Sequence, residues 1–218
     1  AGQSGTGTSA TRRLGVLVIF LLATVALCGL WFSAEDVVQG STVRIMYIHV
    51  PSIWTAYTAF GLTALCSGVY LSGKNRSLAW DRVAGASGEI GVLFVAVSLV
   101  TGSMWGRLTW GTYWVWDARL TSELILLFLY LGVIGLYGAI DEKRVAGRAV
   151  AILAIVGVVN IPIIHYSVEW WNSLHQGATV TKLDKPSIHW SMLIPLLLMA
   201  LSFKVYFIIS LFLLILLI

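Results

Sequence analysis

Apolar residues along this chain fall into long blocks separated by short polar stretches. Six blocks, 14–34, 50–72, 83–104, 121–140, 149–168 and 190–211, are near the roughly 20 residues a helix needs to cross a bilayer. The connections between them are 35–49, 73–82, 105–120, 141–148 and 169–189, each too short to fold alone. The pattern predicts an all-α polytopic membrane protein, a single six-helix transmembrane domain over 14–218 behind a disordered tail, 1–13. Block 14–34 follows Arg12-Arg13 but exceeds the ~7–15-residue core of a signal peptide, so it reads as a retained anchor. The last apolar stretch runs from Ser191 to Ile218 with Lys204 inside it, longer than one span requires. Three readings stay open there: a tilted helix, an exit by snorkelling at Lys204, or a chain cut short.

Composition supports a membrane environment. The 218 residues are 58% hydrophobic and 11% charged, with a mean hydropathy of +0.88. A water-soluble domain carries roughly 25% charged residues. Cys28 and Cys66 lie in separate apolar blocks without a Cys-x-x-Cys spacing, which argues against thiol–disulfide exchange and for buried packing. No glycine-rich P-loop is present, so ATP hydrolysis by this chain alone is not expected.

Six spans put both termini on one side, and the basic residues say which. Arg12, Arg13, Lys74, Arg76, Arg82, Lys143, Arg144 and Arg148 make eight on the terminal side; Arg44, Arg107, Arg119, Lys182 and Lys185 make five opposite. The positive-inside rule therefore predicts cytoplasmic termini. His49, His165, His175 and His189 then all fall at the outer face. So do Trp31, Trp54, Trp105, Trp110, Trp114, Trp116, Trp170, Trp171 and Trp190, leaving Trp80 alone inside. An interfacial aromatic belt decorates both faces. This distribution is one-sided.

The third connection is densest, Trp105-Gly-Arg-Leu-Thr-Trp110-Gly-Thr-Tyr-Trp114-Val-Trp116-Asp117. Clustered indoles make an apolar shelf for a flat conjugated ligand; Gly106 and Gly111 remove bulk, and Asp117 suits a helix cap or an indole partner. Interfacial anchoring alone explains Trp105 or Trp190 better than it explains this set. His49, two residues before Pro51, is expected on display at the outer surface where the second span begins. Trp171 and His175 are four apart, so a short helix ending at Gly177 would stack them. Imidazole is a haem axial ligand, and two outer imidazoles beside an indole shelf suit an iron porphyrin. Each lone histidine has an interfacial hydrogen-bonding role as its alternative. For His165 packing is expected, and His189 opens the sixth span after Pro186.

Arg119, Arg107 and Arg44 stand near these residues as partners for carboxylates such as propionates, or as plain interface charges. Glu89, inside the third span, is a site candidate by default, but Gly85, Gly88 and Gly91 around it point as readily to helix packing with Glu89 paired inside the bundle.

The run Trp-Gly-Thr-Tyr-Trp-Val-Trp-Asp-Ala-Arg-Leu-Thr-Ser-Glu over 110–123 resembles the WWD signature of the haem-handling protein superfamily. Together with Tyr47-Ile-His-Val-Pro51 and the stretch from Asn160 to Gly177, it resembles the cytochrome c maturation protein C family, over about Gln39 to Gly177. The resemblance implies six spans in the bacterial inner membrane and a periplasmic tryptophan motif. It implies haem b, iron protoporphyrin IX, with axial ligands at His49 and His175 on a platform of Trp110, Trp114, Trp116 and Asp117. Trp171, Arg119 and Arg44 complete the expected binding set. It also implies a carrier rather than a stand-alone enzyme, presenting haem to the periplasmic haem chaperone protein E. Its other implied partners are a small single-span protein D and the ABC-transporter subunits A and B. The apolar terminus Leu-Phe-Leu-Leu-Ile-Leu-Leu-Ile departs from that family's basic tail.

Three rivals remain on the residues alone. A membrane b-type cytochrome would place histidines at depth on facing helices. A channel, or a transporter subunit of a haem export complex, would show broken helices near the midplane, for which Glu89, Asn160 and Pro162 make a thin case. A structural scaffold subunit would carry no haem colour.

Overall fold

The computed structural model describes residues 9–73 and 77–217. It is helical, with α1 (Ser9–Leu27), α2 (Met46–Ser72), α3 (Leu78–Trp110), α4 (Ala118–Ala139), α5 (Lys143–Gly157), α6 (Asn160–Trp170) and α7 (Trp190–Leu217). A π-helical turn, Cys28–Phe32, extends α1, and a 3-10 turn, Ser41–Ile45, leads into α2. Among the described residues, α3, α4, the α5–α6 unit Lys143–Trp170 and α7 are each long and apolar enough to cross a membrane. This is a multi-pass membrane protein.

Residues 1–8 of the expected tail and the cations Lys74 and Arg76 lie outside the described residues, as does the side chain of Cys28. Ser9 to Arg13 already belong to α1. Cys66 is buried and free.

The core lies where α2, α3, α4 and α5 meet, around Phe60, Val95, Leu126, Tyr130, Val133 and Val150. The expected glycine-lined packing is present. Gly85, Gly88 and Gly91 repeat every third residue on α3 and meet Tyr137, Val133 and Tyr130 of α4. That repeat turns Glu89 the other way, so it is exposed rather than paired inside the bundle. Tyr130 donates to the Ala56 carbonyl at 2.6 Å, tying α4 to α2.

Two other expectations change. Lys204 does not end α7 by snorkelling; the helix continues past it, and its ammonium donates to the Trp54 carbonyl at 2.7 Å and to Thr58. A half-buried ammonium gains from such acceptors, and α2 supplies them. The expected span 149–168 is two helices, α5 and α6, meeting at Val158–Val159. Pro162 lacks the N–H that would continue the ladder, and Asn160 anchors the junction by donating to the Ser122 carbonyl of α4 at 2.8 Å.

Candidate functional site

The alternation of helices brings the start of α2, the end of α3, the start of α4 and the loop 171–189 to one end of the bundle. His49 comes from α2, but not as the sequence suggested. The 3-10 turn starts the helix early, so Pro51 sits inside α2 and His49 is 6% exposed. Its ring lies against Gly102 of α3, where an added Cβ would come within 2.8 Å of Cε1 and 3.2 Å of Nδ1.

His49 Nδ1 lies 3.0 Å from the Ser98 carbonyl oxygen. A carbonyl only accepts, so Nδ1 carries the proton and Nε2 keeps its lone pair. His175 repeats this arrangement, with Nδ1 at 2.8 Å from the Gln176 carbonyl oxygen. Backbone carbonyls behind both rings set the tautomer a metal ligand needs. The two ring centres are 6.4 Å apart, with planes inclined by 38°. Metal–imidazole bonds of about 2.0–2.1 Å, with each ring centre roughly 1.2 Å behind its nitrogen, would separate two opposed imidazoles by about 6.5 Å. The observed separation of the two ring centres is close to that value.

Around the pair is a cavity of about 90 Å³, whose lining includes Gln39, Trp105, Trp110, Glu123 and Leu174. Enclosed pockets for drug-sized ligands occupy about 300–1,000 Å³, so a porphyrin would project past this rim. Trp110 meets His175 edge-on at 6.2 Å, and Trp105 meets His49 edge-on at 5.8 Å. Trp105 also donates its indole N–H to Gln39 Oε1 at 2.8 Å.

The WWD segment is partly helix. α3 runs through Trp105 and stops at Trp110, because Gly111 adopts φ +79° as the left-handed cap. Beyond it Trp114 and Trp116 pack edge-on at 5.5 Å, and Trp116 is 76% exposed. The Trp114 indole N–H is buried without a protein acceptor, and neither Trp114 nor Trp116 lines the cavity around the two imidazoles. Asp117 caps α4, accepting from the Leu120 N–H at 2.8 Å. Its other oxygen accepts from the Ser173 hydroxyl, and Ser173 Oγ accepts from the His175 N–H at 3.0 Å. The aspartate thus ties the indole loop to the loop bearing the second imidazole, a connection the sequence did not suggest.

The remaining candidates spread out. Loop 171–189 contains no helix, because α6 ends at Trp170 and Trp171 is extended. Trp171 packs on Trp170 at 5.7 Å instead of stacking on His175, and it does not line the cavity. Arg119 donates to the Ile164 carbonyl at 2.7 Å, and its Nε is buried without a partner. Arg44 pairs with Glu35 at 3.6 Å and donates to the Ser33 carbonyl at 3.3 Å, away from the cavity lining. His165 packs edge-on against Tyr166, and His189 accepts from the Ser191 N–H at 3.3 Å, where it caps α7. Sequence reasoning missed Gln39, Ser98, Gly102 and Glu123. Gln39, Ser98 and Gly102 are single residues of unremarkable type that only the α2–α3–α4 packing makes neighbours, whereas Glu123, a carboxylate inside the expected span 121–140, carried the same signal as Glu89.

Burial, with the Arg119 charge second, holds the His175 pKa down at about 4. The imidazole is therefore neutral at pH 7 and releases no proton when it takes up a metal. If this imidazole holds a haem iron, affinity should stay flat from pH 8 to about 5 and fall as pH approaches 4. An unshifted imidazole would begin losing affinity near pH 6.5. An absorbance titration of loaded protein distinguishes the two, and a midpoint near 6.5 would contradict the neutral assignment.

A family model described as heme exporter protein C, CcmC, matches residues 6–216. A heme exporter protein C of Haemophilus influenzae is 47% identical over 192 residues, covering 88% of this chain and 77% of that protein. One from Escherichia coli K12 is 50% identical over 169 residues, covering 76% and 67%. A putative cytochrome c biosynthesis ccmC-like mitochondrial protein of Marchantia polymorpha is 40% identical over 184 residues, covering 84% and 77%. With its match spanning nearly the whole chain, this protein belongs to the heme exporter protein C family.

Proposed function

We propose that the chain binds haem b at the periplasmic end of the bundle between His49 and His175 and passes it to the chaperone protein E during cytochrome c maturation. The observation that carries the reading is the imidazole pair, 6.4 Å apart with Nδ1 of each ring on a carbonyl. Haem is the cargo, and its iron supplies the coordination chemistry. The protein's own residues would hold and orient: His49 and His175 as the ligands, with Trp110 against the second of them.

The small cavity suits a delivery role. Each ~1.4 kcal/mol of extra affinity slows release tenfold at equal on-rates, so a carrier gains from an open rim. Apolar rings beside the bilayer favour the porphyrin without enclosing it. Proteins D, A and B are the further partners in this reading, with termini cytoplasmic and six spans in the inner membrane.

Purification with the partners co-expressed, followed by pyridine haemochrome assays with and without the chaperone, tests the role. Haem should co-purify with this chain, and covalent haem should appear on the chaperone as the chain's content falls. A colourless chain, or haem that stays in place, would refute the carrier reading.

A further inference from the structure

Glu123 lies on α4, 5% exposed, and lines the same cavity as the two imidazoles. Its Oε1 accepts from the Ser98 hydroxyl at 2.6 Å. Ser98 Oγ lies 3.4 Å from His49 Nδ1, and the Ser98 carbonyl oxygen lies 3.0 Å from the same nitrogen. Thr101 Oγ1 is a third neighbour of that nitrogen, at 3.4 Å, with its own proton donated to the Val97 carbonyl at 2.7 Å. Three oxygens thus converge on a single N–H. The carbonyl has no proton, and the two hydroxyls have theirs committed elsewhere. All three face His49 as acceptors.

This arrangement depends on Glu123, because without it the Ser98 hydroxyl is free to rotate. Arg119 lies one turn earlier on the same helix. A carboxylate behind a serine behind an imidazole N–H makes the ring a stronger electron donor, as outer-shell carboxylates do for metal-bound histidines generally. A stronger donor favours ferric over ferrous iron.

We propose that Glu123 is a positioning residue that acts through Ser98 on His49 and lowers the reduction potential of bound haem. This rests on the haem-ligand reading above. It goes further by assigning control of the iron's oxidation state to a residue that does not touch the metal. The redox partner is whatever one-electron donor or acceptor the haem meets, and the relay changes only the equilibrium.

Redox titration of the haem-loaded protein tests it, using Glu123→Gln, Ser98→Ala and the double variant. Glu123→Gln keeps the size and an acceptor but removes the charge; Ser98→Ala keeps the charge and breaks the relay. Both should raise the midpoint by a tenfold change in the ferrous-to-ferric ratio, about 59 mV for one electron. Acting through one path, the double variant should shift no further than the larger single one. Unchanged midpoints would overturn the proposal. So would lower haem occupancy with an unaltered midpoint in the loaded fraction, the mark of a merely structural Glu123. A shift in Glu123→Gln alone would overturn the relay and leave a through-space charge. If Glu123→Gln holds no haem, Ser98→Ala decides by the same criterion. Wild-type protein without a bis-histidine spectrum would instead defeat the underlying haem reading.

Discussion

His175→Ala should abolish the six-coordinate, low-spin spectrum of bound haem and lower affinity at least a hundredfold, about 2.7 kcal/mol or more. Removing outer-shell partners of metal ligands typically costs 10–100-fold, and removing a ligand should exceed that. The variant tests the site cleanly because His175 stands on an irregular loop, outside the packed core of α2 to α5. Helical circular dichroism and thermal stability should therefore stay near wild type. His49→Ala should have the same spectroscopic effect with some loss of stability, since that ring is 6% exposed and fills the α2–α3 contact. The double variant should be colourless after purification. Wild-type haem content and spectrum in both single variants would remove these residues as ligands.

The second large effect is expected far from any metal-binding atom, at Gly102. A methyl group there would stand 2.8 Å from His49 Cε1, closer than van der Waals contact allows. Either the ring turns away or α2 and α3 separate, and overpacking of this kind costs about 1–3 kcal/mol. Turning the ring also breaks its hydrogen bond to the Ser98 carbonyl, losing the tautomer and aim that ligation requires. Gly102→Ala should therefore lower haem affinity by about ten- to a hundredfold, about 1.4–2.8 kcal/mol. Haem titration of the purified variant measures this. A control, Gly61→Ala, places its methyl in open space on α2 and should bind as wild type does. Equal affinity for Gly102→Ala would show that the close approach does not position His49.

Much of this was legible in the sequence because a bilayer imposes a simple rule. Apolar block length located the helices of α2, α3, α4 and α7 within several residues, since hydrocarbon leaves the backbone no partner but itself. The ends were harder. Hydropathy falls at Trp105, yet nothing between Trp105 and Trp110 stops a helix, so α3 continues to the cap at Gly111. The same blindness placed His49 before its helix rather than within it, because Pro51 is compatible with both once a 3-10 turn precedes. Clustering by topology brought His49, His175 and Trp110 to one end, and the structure brings those three together. Trp171 was misplaced because i,i+4 spacing means proximity only where a helix exists, and α6 had ended. Glu123, a carboxylate within the expected span 121–140, was open to the argument made for Glu89, but its link to Ser98 was not legible. Its partner Ser98 is 25 residues away on another helix, at a separation no local pattern encodes.

The two imidazoles differ in how they are mounted. His49 is embedded in a helix and wedged against another, whereas His175 hangs on an irregular loop moored through Ser173 to Asp117. In the carrier reading this amounts to a fixed jaw and a hinged one. The bond on the hinged side should break first, leaving the cargo held from behind with its outer face bared. An incoming acceptor can then take up the vacated coordination position before the last tie to the carrier is cut, so the cargo need never be loose in the membrane or in water. Asp117, which touches neither imidazole ring, would then set how readily the hinge swings, and the tryptophan motif's acidic residue becomes a latch on timing.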